Sequence, residues 1–85
     1  MEIKILGPGC ARCENLGREV FNALAELDVA ARVMKIKDIE KIAVYKNVAI
    51  PALVINDRVK VSGQVPTREE IKKYIKEEMG WAGLG

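Results

Sequence analysis

The sequence predicts one α/β domain in the order β-α-β-α-β-β-α, with a four-stranded mixed sheet and helices on both faces. Three observations carry that prediction. Short apolar runs at strand spacing occur at 2–6, 30–36, 52–55 and 58–62. Two amphipathic helical patterns, one near each end, frame them. The length of 85 residues leaves room for one hydrophobic core.

The elements follow in order. Glu2-Ile3-Lys4-Ile5-Leu6 alternates like a strand, and Gly7-Pro8-Gly9 breaks it. From Cys10 to Leu27, the residues Cys13, Leu16, Gly17, Val20, Ala23, Leu24 and Leu27 recur at steps of three and four, one face of a helix. Asp28 ends it. Ala30 to Ile36 reads as a second strand, which the intervening helix makes parallel to the first, with a right-handed crossover. Asp38 is the expected N-cap of a short helix over 38–46 that turns Ile39, Ile42 and Ala43 inward, with Asn47 closing it in the left-handed conformation. Pro51 opens a strand from Ala52 to Ile55, Asn56-Asp57 is a tight-turn pair, and Arg58 to Ser62 returns as the hairpin partner. Behind Pro66, Thr67 and Glu70 form a capping box for the last helix. Its apolar stripe is Ile71, Tyr74, Ile75 and Met79, and Lys72, Lys73, Lys76, Glu77 and Glu78 face water. Gly80 is the expected stop, so residues 1–80 make the domain and 81–85 a short tail, where Trp81 either folds back as a cap or frays.

Composition excludes several function classes. Basic residues (14) barely outnumber acidic ones (12), and the signs are interspersed, which argues against a nucleic-acid partner. There is no histidine, so histidine catalysis and histidine metal sites are out. The N-terminal apolar run is too short for a signal peptide, and no stretch approaches the roughly 18 apolar residues of a membrane span. These points predict a cytoplasmic protein with no membrane partner. In that compartment a close cysteine pair is redox-active or metal-binding more often than a structural staple.

The pair is Cys10-Ala11-Arg12-Cys13, placed where the first strand gives way to the first helix. The first sulfur falls at a helix N-terminus, whose unpaired N–H groups and dipole favour a thiolate; the second lies one turn further on. Arg12 adds a cation if its side chain turns toward the sulfur, and is otherwise an exposed charge. Three functions fit. Cys10 attacks a partner disulfide and Cys13 resolves the mixed disulfide. Alternatively the thiols capture a soft metal, Cu(I) or Zn(II), although two cysteines without histidine fall short of a four-ligand zinc site within one chain. Or the pair senses redox state and alters binding to another protein without turning over.

The element order, the C-x-x-C at the first helix and the proline opening the third strand together resemble the thioredoxin fold in its trimmed form. The chain is more closely similar to the small prokaryotic thioredoxin-like proteins of the redox-active disulfide protein 2 family, over Ile3 to Cys13, Val48 to Ile55 and Val61 to Pro66. The resemblance implies a dithiol–disulfide oxidoreductase with Cys10 and Cys13 as catalytic residues. It implies that the Ile50–Pro51 bond is cis and lies beside the cysteines, with the Ile50 backbone offered to an extended client segment. Gly63 then allows close backbone approach at a third wall, so Ile50, Pro51 and Gly63 are the expected substrate-binding residues and Arg12 a tuning residue. Read without the resemblance, Pro51 is a trans proline and Gly63 a turn glycine. No cofactor and no metal are implied. The expected partners are a protein disulfide or thiol client and an upstream reductase, and the chain is expected to act as a monomer. It departs from thioredoxin proper in its Ala-Arg dipeptide, in having no tryptophan before Cys10, and in placing Lys4 where thioredoxins carry a buried acid.

Overall fold

Alternation along the first strand sorts the molecule into two layers. The computed structural model describes residues 1–45 and 47–79. Strand β1 (Glu2–Leu6) is followed by helix α1 (Ala11–Leu27), β2 (Arg32–Ile36), α2 (Ile39–Ile42), β3 (Ala52–Ile55), β4 (Arg58–Ser62) and α3 (Arg68–Glu78). The strands form one sheet in the order β2-β1-β3-β4. β1 pairs parallel with β2 and antiparallel with β3, and β3 pairs antiparallel with β4. The predicted α/β class and element order are those of the structure.

Ile3 and Ile5 of β1 and Leu53 and Ile55 of β3 point to one face of the sheet. There they meet Leu16, Val20, Ala23 and Leu24 of α1 and Ile71 and Ile75 of α3. On the opposite face Leu6, Ala52 and Val54 pack on Ile42 of α2, with Ile36, Tyr45 and Val48 around them. The period of two in the strands and the i, i+3, i+4 stripe of α1 thus bury complementary surfaces. β2 and β4 are the sheet edges, and they carry Arg32 and Lys35 on one side and Arg58 and Lys60 on the other.

The turn chemistry is placed as expected. Asp28 takes the left-handed conformation (φ 54°) that ends α1. Asn56 and Asp57 both have positive φ, as a tight primed hairpin turn requires. Thr67 and Glu70 make the capping box in both directions. Asp38 caps α2 by accepting from Glu40 N–H at 2.9 Å; Asn47 is left-handed at φ 61° as expected, but it does not close α2, whose C-cap is Ala43.

Three expectations are corrected. β2 begins at Arg32 rather than Ala30, because Asp28 and Val29 donate back to the Ala25 and Leu24 carbonyls and the chain joins the sheet only after that cap. α2 is a single turn, Ile39–Ile42, and does not run to 46. One turn gives the core one buried side chain, Ile42; Ile39, 61% exposed, and Ala43 line an open groove of about 490 Å³ with Tyr45 and Val48. On α3, Lys72 and Glu78 do not face water. Lys72 reaches Glu26 of α1 at 2.8 Å and Glu78 reaches Lys60 of β4 at 2.8 Å, both half sunk between elements. Gly80 and the Trp81 tail lie outside the described residues. Among the described residues no helix is long and apolar enough to cross a membrane.

Candidate active site

Strand β1 ends in the sheet interior and delivers the chain, through Gly7, Pro8 and Gly9, to the start of α1. Gly7 N–H donates to Ile36 C=O at 2.9 Å, tying this turn to the end of β2. Gly9 has φ +97°, a conformation that glycine adopts at no steric cost. The turn places Cys10 as the N-cap of α1. Its sulfur accepts from Cys13 N–H at 3.2 Å. Cys10 and Cys13 form a disulfide, with Cα atoms 5.0 Å apart. Cys10 is exposed, and Cys13 is 4% exposed beneath it.

The segment before β3 is held by the end of β4. The Ile50–Pro51 peptide bond is cis. Pro51 is buried and Ile50 is 39% exposed. Ala49 N–H donates to Ser62 Oγ at 2.8 Å. Gly63 N–H bridges the Ala49 and Pro51 carbonyls at 3.0 and 2.9 Å. Both neighbours of Ile50 are therefore pinned by the end of β4, whereas no hydrogen bond to Ile50 N–H or C=O occurs among the described residues.

Gly63 directly follows β4. It has φ +77°, and a Cβ there would come 3.1 Å from Ala49 Cβ. Turn geometry and close backbone approach both call for glycine.

Arg12 reaches the end of β4. Its Nη2 donates to Gly63 C=O at 2.9 Å, so a residue between the cysteines is tied to the residue after β4. Two partners 51 residues apart share no periodicity, and sequence reasoning had no means of finding this contact. On the other side Lys35 and Lys37 of β2 and its following loop approach Glu14, at 3.1 and 4.0 Å. The Lys35 hydrogen bond, then its charge, holds the Glu14 carboxyl below the ordinary value of 4.5.

Lys4 lies on the α2 face of β1. It donates to Tyr45 OH at 3.3 Å and lies 3.5 Å from Asp57. The Tyr45 hydrogen bond is the larger cause that raises the Lys4 ammonium above its ordinary value of 10.5. Lys4 stays cationic, so it does not supply the proton-accepting function of an acid at that position.

A four-stranded mixed sheet flanked by helices, with a C-x-x-C disulfide at the head of its first helix, defines a thiol–disulfide oxidoreductase of the thioredoxin fold. Residues 1–76 match the family model for the thioredoxin domain. The chain is 37% identical over 75 residues to a thioredoxin of Methanothermobacter thermautotrophicus, covering 88% of this chain and 97% of that one. It is 34% identical over 74 residues to a thioredoxin of Methanocaldococcus jannaschii, covering 87% and 85%. The chain belongs to the thioredoxin family.

Proposed function

We propose that the chain reduces protein disulfides, with Cys10 as nucleophile and Cys13 as resolving thiol. The observation that carries this assignment is the difference in exposure: Cys10 is open to solvent and Cys13 is 4% exposed. In the reduced chain the N-terminus of a 17-residue helix favours negative charge on Cys10. The Cys10 thiolate attacks one sulfur of the client disulfide. The client S–S bond breaks, a Cys10–client bond forms, and the first client thiolate leaves and takes up a proton. Cys13, having given up its proton, attacks Cys10 Sγ; the mixed disulfide breaks, Cys10–Cys13 forms, and the second client thiolate leaves and is protonated. The client gains two electrons and two protons, and the cysteine pair loses them.

Ile50, Pro51 and Gly63 form the wall that receives the client. The Ile50 N–H and C=O, which no described residue engages, pair with an extended client backbone, as an added strand does. Residues 1–80 act as one domain and as a monomer in the cytoplasm. A protein client and an upstream reductase are the partners; the second returns the pair to its dithiol form.

The test is trapping. The Cys13→Ser protein is expected to hold a client as a mixed disulfide that migrates as an adduct until dithiothreitol is added. Cys10→Ser is expected to hold none. Capture by Cys10→Ser and none by Cys13→Ser reverses the roles.

A further inference from the structure

The Arg12 charge, between the two cysteines in sequence, is held in place, and no carboxylate among the described residues neutralises it. Its guanidinium donates to the Gly63 carbonyl at 2.9 Å, a neutral acceptor. Among the described residues no carboxylate lies within ion-pair distance of it. Glu14, the acid nearest the pair in sequence, is engaged by Lys35 and Lys37. A guanidinium carries five N–H donors in a planar fork, and the Gly63 contact accounts for one.

The location matters as much as the charge. Gly63 accepts from Arg12 through its C=O and donates through its N–H to the carbonyls on either side of Ile50. One residue of backbone therefore separates the guanidinium from the wall that receives the client. A client cysteine bonded to Cys10, with its flanking chain laid along Ile50, brings its neighbouring side chains to Arg12.

We propose that Arg12 is a specificity-determining residue that selects clients carrying a carboxylate side chain within a residue or two of the disulfide cysteine. The carboxylate binds the guanidinium N–H groups that point away from Gly63, as charge-assisted hydrogen bonds in fork geometry. This rests on the client reading given under Proposed function.

The experiment uses three synthetic disulfide peptides that differ only in having Glu, Gln or Lys beside the cysteine. The rate of their reduction by the pre-reduced protein is followed under second-order conditions. The Glu peptide is expected to react about two- to fivefold faster than the Gln peptide, and the Lys peptide slower by a similar factor, the range of exposed ion pairs. Salt near 1 M, where the screening length is about 3 Å, is expected to compress the series. Arg12→Gln is expected to level it and Arg12→Glu to invert it. Equal rates for the three peptides with the unaltered protein overturn the inference and leave the exchange chemistry standing. A preference that survives in Arg12→Gln also overturns it and points to another cation. If no peptide is reduced at all, the proposed function fails and this inference with it.

Discussion

At the scale of single residues, Gly7 packs against Cys13, and Arg12, between the cysteines, bonds to Gly63. A Cβ added at Gly7 would land on Cys13 Sγ and lie 3.0 Å from Cys13 Cβ. Cys13 is buried and has no room to retreat, so the substitution overpacks the core. Gly7→Ala is expected to destabilise the oxidised protein by about 1–3 kcal/mol. Urea unfolding checks it, as a lower midpoint at unchanged slope; an unchanged midpoint would show that the turn absorbs the methyl group. The Cys10–Cys13 redox pair was legible in the sequence because spacing and helix position bear directly on sulfur chemistry. The packing role of Gly7 was not: before a proline and a second glycine it reads only as a turn. The Arg12–Gly63 contact was not legible either, since it is made by the fold.

At the scale of elements, helix starts and the end of α1 were legible, the end of α2 was not, and helix faces were legible only in part. Asp28, Asp38 and Thr67 mark their boundaries through local hydrogen bonds and dihedrals, which neighbouring residues dictate. The inward face of α2 depends on what opposes it across the sheet, and a single turn carries no periodicity to read. Charges between elements were equally hidden. Arg68 of α3 forks onto Glu19 of α1 with two 3.1 Å bonds and reaches Glu26 at 2.7 Å, and Lys72 joins Glu26. The Arg68 hydrogen bond holds the Glu19 carboxyl below its ordinary 4.5, and hydrogen bonds from Lys72 and then Arg68 do so for Glu26. Depressed folded-state values mean that the clamp contributes fully above about 4.5, and that its contribution is lost as pH falls through those lower values. The thermal midpoint is therefore expected to drop as pH is lowered below 4.5. Arg68→Met is expected to make that drop shallower, by a modest amount because the groups are half exposed. Parallel pH series for the two proteins check it; equal slopes would show that the clamp is not the cause.

At the scale of the whole molecule, the small size makes every central side chain expensive to lose. Leu53 is fully buried, pairs with Ile5 and Val61 across the sheet, and belongs to the larger of the two cores. Leu53→Ala is expected to cost about 2–5 kcal/mol, a large share of the roughly 5–15 kcal/mol that holds a domain folded. Calorimetry reads it as a sharply lowered melting temperature. The layering behind that expectation was legible, because alternation in β1 and the stripe of α1 each name their buried side. How the edge strands are finished has a separate consequence. A bare strand edge is a template on which another chain can grow. Arginine and lysine sit on both rims, and a strand added there would have to desolvate them or part Lys35 from Glu14 and Lys60 from Glu78. Edges finished in this way discourage uninvited strands at the margins of the sheet.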